Sequence, residues 1–82
     1  MLSELSSAVK VIGVKQSKKA IREGNAKLVL IAADAECRIT EPIYELCEQH
    51  SVEVQEVPYM KELGSAVGIA VGAAVVTILD LF

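Results

Sequence analysis

Lys15, Gln16 and Lys19 follow a glycine in Gly13-Val14-Lys15-Gln16-Ser17-Lys18-Lys19, and Ala20-Ile21-Arg22-Glu23-Gly24 completes a stretch suited to a helix. A helix starting here directs free backbone N–H groups and the positive end of its dipole toward an anion, and Gly13 lets a phosphate backbone come close. Lysine reaches guanine O6 and N7 and glutamine pairs with a base edge, so the chemistry on offer is nucleic-acid recognition. Lys18 and Arg22 extend the run, either as phosphate contacts or as solvated charges. The competing reading of the whole run is a solvated helix face, the usual meaning of such a charge pattern.

Other reactive side chains make weaker sets. Cys47 and His50 stand three apart and Cys37 lies ten residues before Cys47, which gives three potential ligands, no Cys-x-x-Cys pair and no zinc site. A cysteine–histidine nucleophile lacks a third group to orient it. Glu41, Glu45 and Glu48 share one helical face, where the ordinary outcome is hydration rather than acid–base work. Gly68-Ile69-Ala70-Val71-Gly72 follows a helix instead of preceding one and has no Lys-Ser/Thr beside it, which argues against a nucleotide loop. No catalytic residue, metal ligand or cofactor is assigned, and the chain is not expected to be an enzyme.

The rest of the chain decides how such a basic segment can be used. The net charge is −3, yet residues 10 to 22 carry five of the eight basic groups and none of the eleven acidic ones. Such segregation makes a poor general polyanion binder but allows one local cationic site, with the acidic remainder repelling misdocked RNA. Tyr44, Tyr59 and Phe82 are the only aromatic residues, too few for stacking along a single strand. Two cysteines build no disulfide framework and no leader-like segment opens the chain, so a reducing cytoplasm is expected. Val67 to Leu79 is uncharged but spans thirteen residues with two glycines inside, short of the roughly 20 that cross a bilayer, and reads as core.

With 82 residues, of which 52% are hydrophobic, the chain supports one core and one domain over residues 1–82. Leu2, Leu5, Ala8, Val9 and Ile12 recur at helical spacing after Ser3, predicting a helix over about residues 3 to 10. A brief strand at Val11 to Val14, a helix over Gln16 to Glu23, and a strand over Lys27 to Ala33 follow. The unbroken run Leu28 to Ala33 marks a strand buried on both faces. Asp34 to Arg38 reads as a loop, Thr40 with Pro42 opens a helix with Ile43, Leu46 and Cys47 inward, and Val52 to Val57 alternates like an edge strand. Met60, Leu63 and Val67 line a last helix ending at Gly68, before a final strand over Val71 to Leu81. Four helices alternating with four strands predict an α/β/α sandwich.

The basic segment resembles the Gly-Thr-Asn-Glu-x-x-Lys signature of the kink-turn RNA-binding ribosomal proteins, the L-seven-Ae and L-thirty-e type. Ile31-Ala32-Ala33-Asp34-Ala35 resembles the family's Ile-Ala-x-Asp-hydrophobic strand end. Leu63-Gly64-Ser65-Ala66-Val67-Gly68-Ile69-Ala70-Val71 is similar to its Leu-Gly-x-Ala-x-Gly stretch and recognition loop. The three segments stand in the family's order and separation, and the resemblance covers nearly the whole chain. Lys15 and Gln16 depart from the signature's Asn and Glu in the manner of short bacterial members, exchanging directional hydrogen bonding for charge at Lys15.

The resemblance implies a three-layer sandwich with a four-stranded mixed sheet of order 1-4-2-3, antiparallel around the last strand. It implies binding without catalysis to a structured RNA containing a kink-turn, the ribosome being one place where such RNA is met. The signature roles fall on Gly13, Lys15, Gln16 and Lys19 at the tandem sheared G·A pairs, with Lys18 and Arg22 at phosphates and Ile69, Ala70 and Val71 at the extruded nucleotide. A monomer without membrane contact is expected. Since Gly68 ends a helix and Gly72 restarts the chain toward the sheet, Ile69 and Val71 are expected to be exposed. The alternative function is a protein-interaction or oligomeric scaffold domain that covers an edge strand without binding RNA.

Overall fold

A strand with apolar residues on both faces is stable in water only if both faces are covered, and two predominantly apolar strands form the middle of the sheet. The computed structural model describes residues 10–79. Its elements are β1 (Lys10–Ile12), α1 (Val14–Arg22), β2 (Ala26–Ala32), α2 (Cys37–Gln49), β3 (Glu53–Val57), α3 (Met60–Ala66) and β4 (Val75–Leu79). The four-stranded sheet has the order β1-β4-β2-β3. β4 runs antiparallel to both neighbours, pairing Ile12 with Val76 and Val29 with Thr77, while β2 and β3 are parallel with Val29 opposite Val54. The expected sheet order, interior strands and β3 edge are those observed.

Side-chain alternation splits the core into two layers. Val29, Ile31 and Val75 pack with Ile21 of α1 and with Ile43 and Cys47 of α2. Leu30, Ala32, Val76 and Ile78 point the other way and pack with Leu63 of α3, Val67 and Ala73. Helices therefore cover both faces, as the sandwich requires.

Several boundaries differ from expectation. The helix over residues 3 to 10 lies outside the described residues except for Lys10, which opens β1. α1 begins at Val14, two residues before the expected start, because Gly13 caps it with backbone alone and leaves no side-chain signal. α2 begins at Cys37 rather than near Thr40, with Glu36 in an extended N-cap conformation, and buries Thr40 with Ile43 and Cys47. Pro42 thus lies inside the helix, where the carbonyl denied a donor is that of exposed Arg38. The final strand starts at Val75, not Val71: residues 71 to 74 are irregular despite being apolar, their backbone packed against Gly64 and Met60 of α3. Its expected end at Leu81 lies outside the described residues.

Candidate nucleic-acid interface

β1, β2 and β3 all run in one direction, so the segments that follow them, and the N-termini of α1, α2 and α3, gather at one rim of the sheet. β4 runs the opposite way and so begins at that rim. Open sheets present ligand sites at this edge because the connecting backbone there is free of ladder bonds. Two hydrogen bonds close the rim around β4: Gly13 N–H donates to the Val75 carbonyl and Ala32 N–H to the Ala74 carbonyl, both at 2.9 Å. The start of α1 and the end of the α3–β4 loop are therefore neighbours.

α1 turns its apolar side down and its charge outward. Ser17, Ala20 and Ile21 are buried, whereas Lys15, Gln16, Lys19 and Arg22 are exposed and Lys18 is half-buried. Gly13 adopts φ +110°, a conformation that side-chain-bearing residues rarely take, with open space where a Cβ would stand. Gln16 and Lys19 line a shallow depression of about 170 Å³ beside Val11 of the β1 edge. Among the described residues the only ion pair joins Arg38 and Glu36; Glu23 lines the same depression as Lys19 without pairing with it.

The second surface is the α3–β4 loop. Gly68 N–H donates to the Ser65 carbonyl and Ile69 N–H to the Gly64 carbonyl, with Gly68 at φ +82°, the paired bonds of a Schellman helix end. That motif folds the residue after the glycine back onto the helix, which corrects one expectation: Ile69 is half-buried against the core layer of Leu30, Leu63 and Val76 instead of exposed. Ala70 is exposed, and Val71 is 72% exposed, the most open of the large hydrophobic residues described. Lys15 and Gln16 in the first turn of α1 thus stand on one rim with an apolar tip, while Lys19 and Arg22 follow in the last turn of the helix.

Two residues that sequence reasoning did not place at the site hold it together. Asp34 Oδ1 accepts a hydrogen bond at 2.8 Å from the N–H of Met60, the first residue of α3, and the Met60 carbonyl accepts one at 3.0 Å from Ala73 N–H. The signal for Asp34 was a single acid immediately after a buried apolar strand; Met60 gave none beyond its place in a helical stripe. The remaining candidates do not assemble. Cys37 is exposed, Cys47 is buried with its thiol pushed up by desolvation, and His50 is exposed at the C-cap of α2. Glu41, Glu45 and Glu48 are exposed. Among the described residues no cluster could hold a metal ion, and no helix is long and apolar enough to cross a membrane.

The family model described as "Ribosomal protein L7Ae/L30e/S12e/Gadd45 family" matches residues 4–81. An RNA-binding protein of Geobacillus sp. strain WCH70 is 40% identical over 75 residues, 92% of each chain. The RNA-binding protein YbxF of Geobacillus stearothermophilus is 45% identical over 69 residues, 84% of each chain. Among solved structures, the Giardia lamblia 15.5kD RNA binding protein superposes with a TM-score of 0.88 at 28% identity, covering 96% of this chain and 68% of that one. A Bacillus halodurans protein of unknown function also gives 0.88, at 26% identity and 98% and 84% coverage. A match across almost the entire length, together with the 1-4-2-3 sheet, means that the chain belongs to the ribosomal protein L7Ae/L30e/S12e/Gadd45 family.

Proposed function

We propose that this chain binds structured RNA without catalysing a reaction, and that it captures the kinked form of a helix–internal loop–helix element, the kink-turn. The observation that carries the reading is the juxtaposition at Val75: the N-terminal end of α1, with Lys15 in its first turn, lies beside a loop bearing an apolar residue that is 72% exposed. Phosphates and base edges suit the first surface, and an extruded base suits the second, where Ala70 and Val71 offer exposed apolar contact. Lys15, Gln16 and Lys19 face the sheared G·A pairs in this reading, Gly13 permits close approach, Lys18 and Arg22 meet phosphates, and Ala70 and Val71 contact the extruded nucleotide with Ile69 as their base. Family membership and the names of the relatives support RNA as the ligand class.

The same reading places the chain in the cytoplasm, as a monomer, on the ribosome or on another structured transcript. Edge strand β3 carries exposed Glu53 and Glu56, charges that discourage pairing with a second copy. The test is a titration, at physiological salt, of the chain with a kink-turn RNA and with an uninterrupted duplex of equal length. The kink-turn is expected to bind at least about tenfold more tightly, since electrostatics alone favours both equally. Equal affinities reject the reading.

A further inference from the structure

Gly64 sits in the middle of α3, where glycine is a poor helix former, and its backbone does not require it. Its φ is not positive, unlike those of Gly13, Gly24 and Gly68. The reason is steric. α3 starts at the rim and leads away from it, while β4 must begin at the rim, so the connecting loop returns along the helix. On that return, a Cβ at Gly64 would collide with the Val71 carbonyl oxygen and stand 3.1 Å from the Val71 carbonyl carbon and the Gly72 Cα. All three are backbone atoms, which cannot rotate aside as a side chain would. One turn nearer the rim, a Cβ at Gly72 would meet Met60, 3.1 Å from its Cβ and 3.2 Å from its carbonyl carbon. The loop is pinned on either side of this seat by Ile69 N–H on the Gly64 carbonyl and Ala73 N–H on the Met60 carbonyl, each 3.0 Å long.

We propose that Gly64 is a positioning residue for RNA recognition: its bare backbone is the seat on which the Val71 peptide rests, and this seat sets where the loop presents its apolar tip. The inference rests on the reading of the rim as a kink-turn interface. It deepens that reading by assigning part of the specificity to a buried helix residue that touches no RNA. A methyl group at Gly64 lifts the Val71 backbone off α3 and displaces the tip, while α1 keeps its own tether at Val75.

The test uses the full chain with Gly64→Ala, Val71→Ala, the double variant, and Lys19→Ala as a reference for the α1 surface. Affinity for the kink-turn RNA is measured over a range of salt concentrations, with the unfolding midpoint of each variant. Gly64→Ala is expected to weaken binding about tenfold with an unchanged salt slope, because the α1 cations still reach their phosphates. In the Val71→Ala background it is expected to have almost no further effect, since the contact it misplaces has already been removed. A merely structural role produces the opposite pattern, the same loss with and without the Val71 side chain. That pattern, or wild-type affinity for Gly64→Ala, overturns the proposal. Should Gly64→Ala fail to fold, Gly72→Ala is put through the same cycle, and a milder loss confined to the chain with Val71 intact upholds the seat, whereas no coupling rejects it. A wild-type chain indifferent to the kink overturns the underlying reading as well. Kink preference with a weakened Lys19→Ala and an unaffected Gly64→Ala overturns the positioning role alone.

Discussion

Lys19 is exposed on α1, lines the depression beside β1 with Glu23 and forms no ion pair among the described residues, so truncating it removes charge and reach without disturbing the core. Lys19→Ala is expected to cost about 1–3 kcal/mol of RNA affinity, near tenfold, as losses of base or phosphate contacts do. Glu41→Ala and Glu48→Ala on α2 serve as controls and leave affinity nearly unchanged. Wild-type binding by Lys19→Ala at an unaltered unfolding midpoint would place the docking surface elsewhere. Two buried hydroxyls make the contrasting case, because Ser17 Oγ and Thr77 Oγ1 are enclosed and find no hydrogen-bond partner among the described residues. An unsatisfied buried hydroxyl costs roughly 1–3 kcal/mol, so Thr77→Val, which keeps the shape and drops the polar atom, is expected to raise stability by about 1 kcal/mol in urea unfolding. A lower midpoint would mean that the hydroxyl has a partner after all.

α3 is the element on which the loop depends, and it is short: seven residues, Met60–Ala66, with an N-cap at Tyr59 that makes no side-chain hydrogen bond. Asp34 supplies the missing cap from across the rim through its bond to Met60 N–H. Asp34→Ala is expected to lower stability by about 0.5–2 kcal/mol, the usual worth of an N-cap, and Asp34→Asn, which keeps a carbonyl acceptor, to recover most of it. If both variants lose equally, the carboxylate acts by charge rather than by capping. The same element shows where sequence reading succeeds and where it stops. β2 and β4 were legible because continuous apolar runs admit no solvent-facing side. The starts of α1 and α2 were not, since Gly13 and Glu36 make no side-chain cap bond and leave no Ser, Thr, Asn or Asp to read. Val71 to Ala74 resembles strand by composition, yet its backbone is held irregular by contacts with Gly64 and Met60, more than six residues upstream, which no local pattern reveals. Ile69 escaped for a related reason: exposure was expected from loop placement, but a Schellman end buries the residue that follows its glycine.

At the scale of the whole molecule, charge and topology act together. Five bases and no acid fall within residues 10 to 22, and the chain as a whole is at −3, so the field favours RNA only when α1 faces it. Topology then turns the N-terminus of α1 toward the rim where the Val71 loop ends, so that the attractive patch and the apolar tip meet the ligand on one side. The candidate cations were legible in the sequence as a run; their alliance with the loop was expected only through the family resemblance, because it depends on β4 lying between β1 and β2, which no local pattern gives. This division of labour has a measurable consequence. Each phosphate contact contributes close to one unit to the slope of log affinity against log salt, while contacts to bases and to an extruded nucleotide contribute little. Lys18→Ala and Arg22→Ala are therefore each expected to shallow that slope by up to about one unit and to weaken kinked and unkinked RNA by similar factors. Val71→Ser is expected to do the reverse, leaving the slope intact and lowering affinity for the kink-turn alone. It costs little stability because the side chain is already in water. If Lys18 and Arg22 are only solvated charges, their removal leaves the slope unchanged, and the phosphate-binding surface narrows to Lys15, Lys19 and the backbone N–H groups that Gly13 leaves open.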